Sequence, residues 1–171
     1  MNAYSIEVNN GKIIGDSTFF RIANDLLHKE CKRLCDFTDA LDKDPLQKKQ
    51  KIAEYKCAKY RYASVANIHN LVFHGNRVYR QSCVHLDIET CIKNNDELLS
   101  LCNGAEENEK TDYKLYYGIS HIAKEKLEKF MKSIENASDW EKIELEERSD
   151  GLKYAIECLD EAWQRRKEVI Q

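Results

Sequence analysis

Cations and tyrosines alternate between Lys48 and Arg80, a mixture that is typical of surfaces that bind nucleic acid. Ammonium and guanidinium groups neutralise phosphates, and aromatic rings stack on bases. On a helix, several of these residues recur at spacings of three or four, so they would share one face. The candidate binding residues are Lys48, Lys51, Tyr55, Lys56, Lys59, Arg61, Tyr62, Arg77 and Arg80. A second interpretation stays open, in which these cations pair with acidic helices of the same protein or with an acidic protein partner.

The distribution of charge along the 171-residue chain points to the same segment. The formal net charge is only -3, but residues 45–86 contain eight basic residues and one acidic residue. Residues 1–44 carry a net charge of -2, and residues 87–171 carry -8. The middle of the chain is therefore a basic segment within an acidic protein, and this asymmetry favours an anionic partner.

A second group with chemical potential is Arg80 and His85, which are separated by Gln-Ser-Cys-Val. Together with Tyr79 and Val84 it resembles the Arg-x4-6-His motif of HEPN-type ribonucleases. The resemblance covers about a dozen residues and implies a helical protein that cuts RNA without a metal, with Arg80 and His85 in a composite site across a homodimer. The guanidinium would clamp a phosphate and the imidazole would move protons. The chain departs from the pattern at Asp87, where many members carry Tyr, so catalysis is the alternative to a non-enzymatic function.

Zinc ligation is the third chemistry to consider. His28, Cys31 and Cys35 lie three and four residues apart and would face one side of a helix, and zinc prefers His nitrogen and Cys sulfur. A single helix supplies at most three ligands, and no paired Cys or His follows at the spacing of a zinc site. We therefore predict that these residues pack in the core, with no metal and no cofactor.

The elements that must position these residues are mainly helices, since the chain has only six Gly and one Pro for turns. A heptad of Phe20, Leu27, Leu34 and Leu41 predicts a long first helix that stops before Asp44. Asp44 and Pro45 predict the cap and first turn of a second helix that runs to His74-Gly75-Asn76. In that helix, Leu46, Ala53 and Tyr60 lie seven residues apart, as do Cys57, Ser64 and Leu71, and these two repeats predict its apolar seam.

Two more long helices are predicted in the second half, over residues 112–137 and from a Ser138–Glu141 capping box to the C-terminus. Gly151 is a point where the last helix is expected to bend. At the N-terminus, alternation in Tyr4–Val8 and the turn Asn9-Asn10-Gly11 predict a β-hairpin. Residues 77–90 fit a helix and a strand equally well.

These observations predict a mainly α protein, a bundle of about four principal helices with a small N-terminal β-hairpin. We expect one domain over residues 1–171, with the hairpin in 1–15 and the bundle in 16–171. The seven scattered Cys, the polar N-terminus and the lack of a long apolar run predict a cytoplasmic protein with reduced thiols and no membrane contact.

The predicted function is that of a small non-enzymatic binding protein. It would dock through its basic helical surface on a nucleic acid or on a complex that handles nucleic acid, as a subunit or, by analogy of size and charge, as a phage inhibitor. The HEPN-like ribonuclease and a self-associating helical bundle, such as a homodimer, are the alternatives.

Overall fold

Helices form the body of the protein in the computed structural model, which describes residues 7–9, 12–14, 18–78, 96, 100 and 107–170. Within the described residues the structure has five helices. They are α1 (Thr18–Asp42), α2 (Pro45–Gln50), α3 (Ile52–Val78), α4 (Glu107–Glu135) and α5 (Asp139–Ile170). The prediction of a mainly α helical bundle is therefore confirmed.

The heptad predicted for the first helix is the buried face of α1. Phe20, Leu27, Leu34 and Leu41 are each at most 3% exposed. The side chain of Asp44 then caps α2, because its Oδ1 accepts a hydrogen bond of 3.1 Å from the backbone N–H of Gln47. This first turn was predicted correctly from Asp44-Pro45.

The second predicted helix differs from the structure in two ways. It is interrupted at Lys51, whose backbone dihedrals (φ -109°, ψ 28°) separate α2 from α3. It also continues past the predicted stop at His74-Gly75-Asn76 and ends at Val78. Glycine in a helix costs about 1 kcal/mol relative to alanine, so Gly75 alone does not end one.

Side-chain contacts give the directions of the four long helices. α1 is antiparallel to α3, since His28 lies beside His69 while Asp42 bonds Tyr55. α5 is parallel to α3: Arg61 bonds Glu147, and Ser64 contacts Gly151. α4 is antiparallel to α5, with contacts from Asp112 to Arg166 and from Tyr116 to Asp160. One end of the bundle, called the α2 end below, therefore carries α2, the start of α3 and the turn from α4 to α5.

The core is formed jointly by α1, α3, α4 and α5. Its fully buried large side chains include Leu27, Ile68, Ile119 and Leu159, one from each long helix. Burying a side chain of this size stabilises the folded state by roughly 1.5–3 kcal/mol. These four helices consequently depend on one another for their apolar surface.

Gly151 allows α3 and α5 to pack closely. A Cβ at this position would lie 2.8 Å from the carbonyl oxygen of Arg61 and 3.0 Å from Cβ of Ser64. Gly151 does not end the helix, since α5 runs unbroken from Asp139 to Ile170. The glycine serves a helix-to-helix contact that no local pattern in the sequence signals.

The predicted N-terminal β-hairpin was wrong as a component of the fold. The described body of the structure, from residue 18 onwards, consists of helices and contains no strand. The only extended pairing in the described residues joins two three-residue segments, β1 (Glu7–Asn9) and β2 (Lys12–Ile14), with Val8 opposite Ile13. A two-stranded ribbon of this length is marginal in water, and the helices bury their apolar faces against one another without a sheet.

A buried ion pair joins α4 and α5 at the opposite end from α2. Arg166 Nε lies 2.7 Å from Asp112 Oδ2, and both side chains are almost fully buried. The guanidinium carbon lies 4.9 Å from the ring centre of Trp163, which stacks on Tyr116 at 4.6 Å. The sequence analysis did not find this pair, because 54 residues separate its members.

Candidate binding surface

The residues that were selected from their charge lie along α2 and the first half of α3, at the α2 end. Asp44 and Pro45 start α2, and the break at Lys51 turns the chain into α3. Helical hydrogen bonds nevertheless run across this position, from the Lys51 N–H to Gln47 O and from the Tyr55 N–H to Lys51 O, each at 2.9 Å. The structure then divides the predicted residues into those that pair within the protein and those that do not.

Lys48 and Tyr55 belong to a local network around Asp42. Lys48 Nζ lies 2.7 Å from Asp42 Oδ1, and the Tyr55 hydroxyl donates to the same oxygen at 3.0 Å. Nζ of Lys48 lies 4.3 Å from the ring centre of Tyr55, and Nζ of Lys59 lies 5.5 Å from it. The hydrogen bond from Lys48 lowers the pKa of Asp42, and the same bond raises the pKa of Lys48. This network joins the end of α1 to α2 and α3.

Arg61 pairs with α5. Its Nε lies 2.9 Å from Glu147 Oε2, and its Nη2 lies 3.6 Å from Asp150 Oδ2. Charge pairing within the bundle, which the sequence left open as an interpretation, therefore applies to this residue.

The other two tyrosines of the segment are also engaged. The hydroxyl of Tyr62 hydrogen-bonds Cys35 of α1, which raises the pKa of Tyr62, and its ring packs against the core. Tyr60 has the guanidinium carbon of Arg148 at 5.5 Å from its ring centre. The rings that were expected to stack on bases thus contact side chains of this protein.

Three lysines stay available to a partner. Lys49, Lys51 and Lys56 are exposed and make no ion pair within the described part of the chain. Beside them, Leu46 is 69% exposed and Ile52 is 43% exposed. We call these five residues, Leu46, Lys49, Lys51, Ile52 and Lys56, the basic surface. Large apolar side chains that are left in water next to uncommitted charges are typical of interaction sites.

The predicted seam of Leu46, Ala53 and Tyr60 is wrong, and this error hid part of the surface. Leu46 and Ala53 are exposed, and Tyr60 is only partly buried. The seam followed a seven-residue repeat that does not face the core: the buried repeat of α3 is Ala58, Val65 and Val72. That choice of repeat assigned Leu46 to the core.

The remaining predicted residues do not bear on this surface. Arg77 lies in α3, but its side chain is not among those the structure describes. Arg80 and His85, the candidate catalytic pair, lie outside the described residues, as do residues 79–90 of the segment with two interpretations.

His28, Cys31 and Cys35 do not converge on a common point. Cys31 is buried in the core, which raises the pKa of its thiol to about 11. The ring of His28 faces that of His69, and Cys35 faces Tyr62. Across the residues that the structure describes, no three His, Cys, Asp or Glu side chains are grouped to hold a metal ion.

None of the helices in the described ranges combines the length and the apolar character that crossing a membrane requires. Comparisons with known protein families, with curated proteins and with solved structures gave no match.

Proposed function

We propose that the protein is a non-enzymatic binding protein whose basic surface docks on an acidic macromolecular partner. The observation that carries this proposal is the juxtaposition of Lys49, Lys51 and Lys56, unpaired among the described residues, with exposed Leu46 and Ile52. An apolar side chain of this size gains roughly 1.5–3 kcal/mol when it is fully buried. A partner that covers this surface gains the free energy of burying these side chains. The lysines favour a partner with negative charge and accelerate its association.

The partner that these features favour is a protein with an acidic rim and an apolar pocket. Proteins that bind single-stranded nucleic acid without sequence preference use cations together with aromatic rings that are free to stack on bases. Here Tyr55, Tyr60 and Tyr62 are engaged by Asp42, Arg148 and Cys35, respectively. Leucine and isoleucine instead fit pockets of the kind found at the centre of protein interfaces.

The proposal also includes the class of the partner and the compartment. The partner is a component of a complex that handles nucleic acid, which is the class that the charge of the basic segment suggested. The setting is the cytoplasm, an inference supported by free thiols at Cys31, Cys35, Cys57 and Cys158.

Charge reversal at Lys49 and Lys56 tests the proposal. Both side chains are exposed, and neither lies at the helix boundary that Lys51 forms. Lys and Glu have similar helix propensities, so Lys49→Glu with Lys56→Glu leaves the helices intact. We expect the wild type to capture its partner from nuclease-treated extract of its native cell, and the double variant to lose that partner. The matched control is Lys29→Glu with Lys124→Glu, the same charge change at exposed positions of α1 and α4.

The outcomes separate the possibilities. The proposal is wrong if the double variant captures the same partner as the wild type, or if the control variant loses it equally. If nuclease removes the partner, the ligand is nucleic acid, and the dependence of log K on log salt flattens by about 0.7–0.9 for each lost phosphate contact. Unchanged circular dichroism and melting temperature show that the double variant is folded.

A further inference from the structure

The most exposed large apolar side chain of the described residues lies at the same end of the bundle as the basic surface. Trp140, in the first turn of α5, is 82% exposed, and Ile143 beside it is 49% exposed. Tryptophan is the residue most enriched among those that dominate binding energy at interfaces. These two residues take no part in the core cluster of the bundle.

The charges around Trp140 are opposite to those of the basic surface. Residues 139–148 have a net charge of -3, whereas residues 45–59 have a net charge of +4. Glu135, Asp139 and Glu146 are exposed and have no ion pair within the described ranges, while Glu144 is engaged by Arg148 at 3.0 Å. We call Glu135, Asp139, Ile143 and Glu146 the acidic surface.

The parallel packing of α3 and α5 brings the two surfaces to one level. Tyr60 contacts Arg148, and Ser64 contacts Gly151. A residue of α3 therefore lies at the same height along the bundle as the residue of α5 that follows it by nearly ninety positions. By the same correspondence, Ile52 and Trp140 lie at the same height along the bundle. Trp140 also precedes Glu147 and Gly151 by seven and eleven residues, which puts it on the side of α5 that faces α3. The α2 end thus carries Trp140 and Ile52 at one level, with a basic flank of lysines on α2 and α3 and an acidic flank of carboxylates on α4 and α5.

We propose that this end binds a second copy of the chain through a two-fold symmetric contact. A two-fold axis through an apolar centre places the basic flank of each copy on the acidic flank of the other, and packs Trp140 and Ile52 of the two copies together. Symmetric dimers use one self-complementary patch in this way. Charge complementarity within a single chain is the reason to choose a second copy over an unrelated partner.

The inference shares the basic surface with the proposed function but does not require the proposed partner. A second copy and an external acidic protein would compete for Lys49, Lys56, Leu46 and Ile52. The dimer is then the resting form, and the external partner binds the monomer. Binding of the partner is therefore strengthened when the dimer is weakened.

Exchange of charge between copies tests the dimer. We expect sedimentation equilibrium of the full-length wild type to give a dimer that weakens with added salt. The basic-flank variant (Lys49→Glu, Lys56→Glu) and the acidic-flank variant (Glu135→Lys, Glu146→Lys) should each be monomeric, because like charges meet at both contacts. A mixture of the two variants should dimerise again, because each reversed flank then meets its opposite.

A third variant tests the apolar centre without any change of charge. Trp140→Ser should raise the dimer dissociation constant by roughly tenfold or more, since truncation of a central tryptophan is among the costliest changes at an interface. Tyr154→Ser, at a 42% exposed position of α5 about four turns from Trp140, is the control and should leave the constant unchanged.

Each result supports or overturns the inference. A wild type that stays monomeric at the highest workable concentration overturns it, as does a dimer that is insensitive to both reversals. Failure of the mixed variants to associate also overturns it, because the flanks would then not meet. Failure of the proposed function looks different: the acidic-flank variant keeps an intact basic surface, so it must still capture the external partner if that function is correct.

Discussion

Arg166 carries a full charge at a position that is only 5% exposed. Its counterion Asp112 is fully buried, and one guanidinium nitrogen, Nη2, has no hydrogen-bond partner among the residues that the structure describes. An intact buried ion pair contributes little net stability, because the cost of desolvation offsets the attraction between the charges. The loss of one partner is costly, because it leaves a buried charge uncompensated. The Asp112–Arg166 pair therefore holds α4 against α5 mainly by making separation costly.

Arg166→Met should lower the free energy of unfolding by about 3–5 kcal/mol, because the buried carboxylate of Asp112 loses its ion pair with Arg166. Replacing both residues, with Asp112→Leu and Arg166→Met, should restore a large part of that loss. Urea denaturation of the three proteins at neutral pH measures both quantities. A single variant within about 1 kcal/mol of the wild type would contradict this account.

Gly151→Ala gives a second prediction at the scale of one residue. Helix propensity alone would stabilise the protein by about 1 kcal/mol. The new Cβ would meet the carbonyl oxygen of Arg61 at 2.8 Å, and backbone cannot move aside as a flexible side chain can. We expect a net loss of about 1–3 kcal/mol, the usual cost of overpacking. A raised melting temperature would show that α3 and α5 separate without penalty.

At the scale of elements, the contact between α1 and α3 is sensitive to acid. His69 is half-buried, its Nε2 lies 2.9 Å from Asn24 Oδ1, and the ring of His28 is 5.9 Å away. Burial and, to a smaller extent, His28 lower the pKa of His69 from its ordinary value of 6.5. The unfolded chain therefore takes up this proton at a higher pH than the folded protein does, so stability decreases as the pH falls below about 6.5.

His69→Gln should flatten the dependence of stability on pH between about pH 7 and 5. The amide keeps a hydrogen-bonding group near Asn24 but cannot titrate. His121→Gln, at an exposed position of α4, is the control and should leave the slope as in the wild type. Urea midpoints across this range supply the measurement, and equal slopes for wild type and His69→Gln would refute the role of His69.

Periodicity predicted helices better than it predicted their ends. The heptad in α1 was correct because Phe20, Leu27 and Leu34 all meet a core within one unbroken helix. The seam through Leu46 failed because Ala58, Val65 and Val72, rather than Ala53 and Tyr60, form the buried repeat of α3. Gly75 misled because a glycine alone does not stop a helix, and α3 continues past it to Val78.

The candidate surface could be predicted only in part. Charge counting selects the basic segment, but which of its cations stay free depends on carboxylates far away in the sequence. Arg61 is neutralised by Glu147, 86 residues later, and Lys48 by Asp42 across a turn. The exposure of Trp140 is predictable, because it lies within the capping box, whose Ser138 N–H donates to Glu141. A residue in the first turn of a helix, near the end of a bundle, has few neighbours to bury it.

For the whole molecule, the two ends of the bundle have different roles. The end with Asp112, Arg166 and Trp163 is closed by a buried ion pair and a group of aromatic rings. The α2 end exposes Leu46, Ile52 and Trp140. Burial at one end supplies stability, while exposure at the other leaves surface for binding. The continuous core between them means that the ends should unfold together, even though they differ in exposure.

The two tryptophans allow this cooperativity to be measured. In a Trp140→Phe variant, fluorescence reports only Trp163, which is 7% exposed and far from the α2 end, while circular dichroism reports all helices. We expect the two signals to change at the same urea concentration, because side chains of α1, α3, α4 and α5 share one core and small domains of this kind unfold in one step. The reciprocal variant, Trp163→Phe, leaves Trp140 as a reporter of the α2 end, and iodide should quench it readily in the monomer and less in the dimer. If circular dichroism changed well before Trp163 fluorescence in the first variant, the α2 end would be a separately unfolding unit, and the stability of the binding surface would be independent of the core.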